Sequence, residues 1–218
     1  MIRFIPSTGR ARHAAAAASF LAIVLLGGSA LAADPAGGKG TAPEKPAAGA
    51  AQDPMMEAMM KFATPGPEHA VLQPLVGRWK SVTKMWTGPG DPQVSEGTSE
   101  RSWVMGGRYM VGKYAGEFGG MPFEGMEILG YDKMHGQYVA TWIDNMGTGI
   151  AASSSGTWDP AARTLTILIT FDDPVSGKPT TLRNLTRIVD DNSYVFSIIG
   201  KMDGKDYTQM ETTYTRVQ

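Results

Sequence analysis

The sequence predicts an all-β protein: an antiparallel up-and-down barrel of about ten strands, closed at one end by a short N-terminal plug helix. Three observations carry that expectation. Beyond Gly77 the chain breaks into period-two runs rich in Thr, Tyr, Val, Ile and Trp, separated by clusters of Gly, Asp, Pro and Asn. No stretch after Gly77 holds a convincing 3.6-residue period, so the helical crossovers of a parallel sheet are missing. Sequential antiparallel strands also leave two bare edges unless the last strand pairs with the first, and closure removes both.

The first 32 residues stand apart. Arg3, Arg10 and Arg12 precede the apolar run Ala14 to Leu26, which ends in Ala30-Leu31-Ala32. That order reads as a secretory signal peptide with cleavage near Ala32 and a periplasmic or secreted destination. The competing reading is a retained anchor, since Ala14 to Ala33 is nearly long enough to span a bilayer, although alanine contributes little and Gly27-Gly28 interrupts the run. No twin arginine is present and no cysteine follows to take a lipid. After cleavage no membrane span is expected.

Loss of three arginines from 20 basic residues leaves 17 against 21 acidic ones, moving the formal charge from -1 to -4. A nucleic-acid surface would need clustered basic residues, which are absent. The lack of cysteine excludes thiol catalysis, thiolate metal sites and iron-sulfur clusters, and fits export without disulfides. Residues 33–66 are rich in Ala, Pro and Gly and read as a flexible tether carrying a Met-rich tract. Residues 67–218 are long enough for one domain with a real core and short for two.

Within that domain, Pro67-Glu68 followed by Val71, Leu72 and Leu75 predicts the short helix, ending near Gly77. The predicted strands are Gly77–Trp86, Val94–Val104, Gly107–Glu117, Phe123–Tyr131, Gln137–Asn145, Gly149–Trp158, Thr164–Phe171, Thr180–Val189, Tyr194–Lys201 and Tyr207–Val217. Turn chemistry joins them at 132–136, at Asp159-Pro160, at 190–192 and at Asp203-Gly204, the last a two-residue hairpin signal. If Trp79 points inward, Ser81, Thr83 and Met85 follow it, and Arg78, Lys80 and Lys84 face water.

Gly77-x-Trp79 resembles a lipocalin-like opening, and the wider arrangement resembles the bacterial domain-of-unknown-function 1579 family. The matching segments include Pro67-Glu68-His69, Leu75-Val76-Gly77-Arg78-Trp79, Gly106-Gly107-Arg108-Tyr109-Met110, Pro122-Phe123-Glu124-Gly125 and Leu129-Gly130-Tyr131-Asp132. Tyr138 to Gly147 and Met210 to Arg216 complete them. The resemblance implies a lipocalin-like barrel and no established activity.

Catalytic machinery is thin. Beyond the signal segment only His69 and His135 remain, and Ser153-Ser154-Ser155-Gly156 lacks the spacing of a nucleophile elbow, reading instead as a small-residue strand. Asp172-Asp173 and Asp190-Asp191 lack calcium-loop spacing and read as turn starters. His69 could serve as a general base or iron ligand if its helix folds over the barrel mouth; a hydrogen-bonded structural histidine is the plainer reading. Haem would need an inward strand histidine, which is missing. Met55, Met56, Met59 and Met60 recur at i and i+4, a pattern of soft Cu(I) ligands, against which stands an amphipathic turn laid on the barrel with methionine as gap filler. The gap-filling reading is favoured; no metal and no cofactor is assigned.

Charges that interrupt apolar faces point to a site. Glu127 shares parity with Phe123, Leu129 and Tyr131; Asp144 with Tyr138 and Trp142; Lys113 with Tyr109 and Val111. Inside a barrel each charge is costly unless paired or wet, and a cavity with a few polar handles supplies that relief. The expected function is binding of a small hydrophobic or amphipathic ligand, with Tyr109, Trp142 and Tyr214 burying its surface and Lys113, Glu127 and Asp144 orienting it. An acid-base enzyme using the same carboxylates, isomerase- or hydrolase-like, and a non-catalytic interaction or structural module are the alternatives.

Overall fold

The computed structural model describes residues 53–173, 177–202 and 204–218. Helix α1 (Pro54–Ala63) precedes a one-turn helix α2 (Pro67–Ala70) and a 3-10 turn, Gln73–Leu75. Ten strands follow: β1 (Gly77–Met85), β2 (Gln93–Val104), β3 (Tyr109–Phe118), β4 (Met121–Asp132), β5 (Gln137–Asp144), β6 (Ala151–Asp159), β7 (Thr164–Asp172), β8 (Pro179–Asp190), β9 (Ser193–Met202) and β10 (Lys205–Arg216). Each pairs antiparallel with its sequence neighbour and β10 returns to β1, so the sheet is a closed barrel. The predicted fold class is the observed one. Asp203 of the expected hairpin turn lies outside the described residues, as does the whole of the signal segment. Among the described residues no helix is long and apolar enough to cross a membrane.

The seam that closes the barrel places Trp79 opposite Arg216, Ser81 opposite Tyr214 and Thr83 opposite Thr212. Trp79, Ser81 and Thr83 are buried while Arg78, Lys80 and Lys84 are exposed, the alternation expected of β1. Leu72 and Leu75 of the entry segment are also buried and pack with Trp79, Met110, Leu129, Tyr194 and Tyr214 into the core at the β1 entry end. The plug is therefore α2 plus the 3-10 turn.

One arginine ties plug, first strand and last strand together. Arg216 lies over the indole of Trp79, 4.1 Å from guanidinium carbon to ring centroid, and donates to the carbonyls of Pro74, Val76 and Asp191 at 2.8, 2.7 and 2.7 Å. Trp79 Nε1 donates back to Leu75 O at 3.0 Å. Gly77 is required beside them: its φ is +133°, and a Cβ there would sit 2.3 Å from Arg216 Nη1. The Gly-x-Trp opening is thus a socket for Arg216.

Residues 33–66 do not behave throughout as a structureless tether. Asp53 caps α1, accepting from Met55 N at 3.0 Å, with Pro54 at the first helical position. At the other end Lys133, from the β4–β5 turn, donates to Lys61 O and Thr64 O at 3.0 and 2.9 Å. The composition of residues 33–66 hid a segment with proper capping residues; residues 33–52 lie outside the described ones.

We predict that Arg216→Ala lowers the unfolding free energy by about 1–3 kcal/mol, combining a half-buried cation–π contact with the loss of donors to the partly buried Pro74 and Val76 carbonyls. Urea denaturation followed by tryptophan fluorescence checks it. Arg216→Lys should recover only part, because an ammonium cannot stack and reach three divergent carbonyls at once.

Candidate functional site

Inward side chains change character along the barrel axis. Toward the plug they are packed: Trp79, Met110, Leu129, Tyr194 and Tyr214 are buried. Toward the far end, where the β3–β4 and β5–β6 loops lie, Tyr114, Phe123 and Trp142 are only half-buried. These rings contact one another, Tyr114 edge-on to Phe123 with centroids 5.6 Å apart, and Phe123 stacked on Trp142 at 6.4 Å and 19°. Gly125, inward on β4, leaves room for the indole: a Cβ would meet Trp142 at 2.2 Å. Phe123 and Trp142 do not belong to the packed core cluster or to the residues packed against it.

Between core and mouth sits a buried ion pair. Arg101 Nη1 lies 2.6 Å from Glu127 Oε2, with side-chain exposures of 10% and 19%, so the pair is nearly but not wholly dry. Arg101 Nε donates to the Tyr194 hydroxyl at 3.1 Å. Tyr194 in turn stacks on Tyr214, centroids 4.3 Å apart and planes 11° from parallel. Burial pushes the Tyr194 hydroxyl up to about 12 against the opposing pull of Arg101, and burial pushes Tyr214 well up too. Both phenols stay neutral, and Tyr194 keeps an O–H to donate while accepting from Arg101. Burial works against the Arg101 charge, yet the ionised phenols of Tyr194 and Tyr214, present only at the extreme pH where an arginine would titrate, and the Glu127 carboxylate more than offset it; its pKa is raised, leaving a permanent cation.

Two further polar atoms face the lumen. Ser81 Oγ and Asn184 Oδ1 are buried without a hydrogen-bond partner, and Asn184 shares its inward parity with Ile188. Thr83 and Thr212 satisfy each other at 3.0 Å. Unpartnered buried polar atoms inside a barrel favour a lumen that admits water or a ligand's polar group.

Of the residues singled out in the sequence, Glu127, Trp142, Asp144 and Tyr214 face inward. Asp144 accepts from Trp142 Nε1 at 2.7 Å and from Met146 N at 3.0 Å, holding the indole at the mouth. Tyr214 belongs to the packed core. Tyr109 and Lys113 point outward, a reversal of the parity expected for β3. Met110 is fully buried and Tyr109 exposed, so the inward row is Met110, Gly112, Tyr114 and Gly116. Two glycines in that row removed its hydrophobic signal, and the opposite row, Tyr109 and Val111, looked greasier. Gly112 leaves room for the Arg101 side chain, whose Cγ lies 3.3 Å from where a Cβ would stand. Lys113 lines instead an open groove of about 920 Å3 across the outside of β1–β5, with Arg78, Lys80, Glu100 and Glu124.

Arg101 was missed by sequence reasoning. Its signal was available: it shares parity on β2 with Ser99 and Trp103 and stands between the exposed Glu100 and Ser102. His69 is buried at the plug rather than over the mouth. Its Nδ1 accepts from Gly66 N at 3.1 Å, its ring meets Tyr131 edge-on at 6.1 Å, and burial lowers its pKa below 6.5 despite Glu68. His135 pairs with Asp132 in an exposed turn. Among the described residues no group of three or more His, Asp or Glu side chains could hold a metal ion.

A closed antiparallel barrel, plugged at one end and lined by half-buried aromatics along β3–β5 at the other, defines a lipocalin-like barrel protein. The chain belongs to the family described as "Protein of unknown function (DUF1579)", whose model matches residues 64–216. No curated protein matches it. Among solved structures it is similar to Rv2717c from M. tuberculosis, at 16% identity and a TM-score of 0.52, covering 71% of this chain and 100% of that one. This likeness is one of fold. It also matches the S-type phycobiliprotein lyase CPES from Guillardia theta, at 11% identity and a TM-score of 0.48, over 73% and 97% of the two chains.

Two outcomes follow from this geometry. Glu127→Ala leaves Arg101 buried and unneutralised and should cost about 2–4 kcal/mol, whereas the double variant R101M/E127L should recover most of that loss, a pattern read by a urea double-mutant cycle. His69 is neutral when folded and its folded pKa lies below the unfolded one. The stability it contributes is therefore complete above about 6.5 and is lost as the pH falls through that value toward the depressed one. Urea midpoints at pH 7.5 and 5.5 should converge less for the wild type than for His69→Gln, whose amide oxygen can still accept from Gly66.

Proposed function

We propose that the barrel binds a small, partly apolar ligand through its open end. The observation that carries this reading is the placement of Phe123 and Trp142: both face the lumen, both stay out of the core, and both stand beyond a buried Arg101–Glu127 pair. An apolar portion of the ligand packs against the accessible faces of this Tyr114–Phe123–Trp142 cluster, where aromatic contact adds to area burial. Its polar end is directed at the free positions of the ion pair, the Tyr194 hydroxyl, and the unpartnered Ser81 and Asn184 oxygens. Few polar groups converging in a concave apolar site is the usual construction of a small-molecule pocket. We place this protein in the periplasm or outside the cell, on the strength of its leader-like first 32 residues.

Geometry favours binding over acid-base chemistry. Glu127 is committed to Arg101, and Asp144 to Trp142 and Met146, so neither carboxylate is presented to a substrate as a free base. Native mass spectrometry of the protein purified from its own host should show a co-purifying compound. That compound should quench or shift tryptophan fluorescence on titration, and Trp142→Ala should weaken binding at least tenfold, about 1.4 kcal/mol, while Trp142→Phe retains most of it. Equal affinity in Trp142→Ala and wild type would overturn the reading.

A further inference from the structure

Helix α1 presents a chemistry that the barrel does not use. Met55, Met56, Met59 and Met60 are 72%, 57%, 59% and 54% exposed, and no residue of the helix is buried. Gap filling against the barrel therefore does not explain them. A ten-residue helix that buries nothing is marginal by itself. Here Asp53, Pro54 and the Lys133 anchor hold both ends, so the chain keeps the helix formed while leaving its methionine face free.

An apolar docking face is ordinarily built from Leu, Ile, Val and aromatics. In α1 the large apolar residues are four methionines and Phe62, with no Leu, Ile or Val anywhere in Pro54–Ala63. What the face offers in quantity is the thioether. Residues three and four apart on a helix have Cβ atoms about 5–6 Å from each other, and methionine's three rotors let neighbouring sulfurs turn toward one point. Met56 and Met60 stand at i and i+4, and Met59 lies three residues from Met56. These three can close on a single ion. Soft, uncharged thioethers select a soft monovalent ion such as Cu(I), while hard cations prefer oxygen. Glu57 stands three residues from Met60 and lines one groove with it, at the edge of the thioether arc; a soft ion passes over that hard carboxylate for sulfur.

We propose that α1 is a Cu(I)-binding helix with Met56, Met59 and Met60 as ligands. The site is independent of the barrel mouth, and binding involves no change of oxidation state. The test uses the full chain under anaerobic conditions, with Cu(I) supplied as its acetonitrile complex and competed with bicinchoninate. One Cu(I) per chain and a sulfur-only first shell in copper X-ray absorption are expected. Replacing Met56, Met59 and Met60 together by Leu should weaken Cu(I) binding at least a hundredfold while leaving the urea midpoint unchanged, because none of these side chains is buried. Leucine keeps the face apolar, so the substitution separates ligation from docking. Cu(I) binding that survives in the triple variant, a nitrogen or oxygen shell, or no Cu(I) bound by the wild type would each overturn the proposal. Equal association of wild type and triple variant with a partner or a vesicle, without Cu(I) uptake, would assign the face to docking and overturn it likewise.

Discussion

The structure depends on one contact: the closure of β10 onto β1, secured where Arg216 lies over Trp79. A ten-stranded sheet left open would expose the ladder groups of two edges, and each unpaired group that became buried would be costly. Ladder pairing alone does not set which residues meet. Arg216 does, because its three carbonyl partners belong to the plug and to the β8–β9 turn, elements far apart in sequence. Gly77 makes the fit possible by giving up a side chain. A single cation thereby couples strand register, plug position and the burial of the Trp79 ring.

From that end the lumen becomes progressively wetter. The plug covers apolar side chains, and polar groups buried with them are paired locally: Trp79 Nε1 with Leu75 O, His69 Nδ1 with Gly66 N, and the Tyr138 hydroxyl with Glu68 O. Midway, Arg101 and Glu127 would destabilise the barrel if dry and separate; contact at 2.6 Å, a hydrogen bond to Tyr194 and partial access to water together offset desolvation. A well-packed apolar pair in their place would serve stability as well or better. The pair is therefore held by mutual contact and by Tyr194, and maximal stability does not account for its presence.

Much of the fold was legible because closure, strand number and the β1 alternation all rest on period-two patterning and turn chemistry, which act locally. For the candidate residues, inward placement was half legible. Glu127, Trp142 and Asp144 were placed inward by asking which charged and aromatic residues share a face with buried neighbours. The same question failed on β3, where inward Gly112 and Gly116 carry no hydrophobic signal and outward Tyr109 and Val111 carry a strong one. Gly116 lies against Tyr114 of its own strand, where a Cβ would stand 2.7 Å from the hydroxyl, whereas Gly112 accommodates a side chain from elsewhere, Arg101 of β2. Such accommodation is a tertiary fact with no local trace. The capping of α1 was local and readable, yet the surrounding Ala/Pro/Gly composition outweighed Asp53, Pro54 and the helical spacing of the methionines.

The barrel wall is not equally firm around its circumference, and the site lies beside its weakest seam. β5 and β6 share only two register pairs, Thr141 with Ala152 and Trp142 with Ala151, whereas the other seams share six or more. Small residues are the cause. Ser153 turns its hydroxyl to accept from Ala140 N at 2.8 Å, replacing a ladder bond by a side-chain one, and the register of β6 against β7 shifts between Ser153 and Ser155. Gly156 presses on the Tyr138 carbonyl, where a Cβ would stand 2.4 Å away. Local opening is least costly where ladder bonds are fewest. Trp142 belongs to that seam, and its indole is held from β5 by Asp144 rather than by the core. On the β4 side Asn145 compensates, bonding the Glu124 amide and the Pro122 carbonyl at 3.0 Å each. The mouth is therefore rigid along β4–β5 and yielding along β5–β6, so displacement of the Trp142 ring meets its least resistance toward β6.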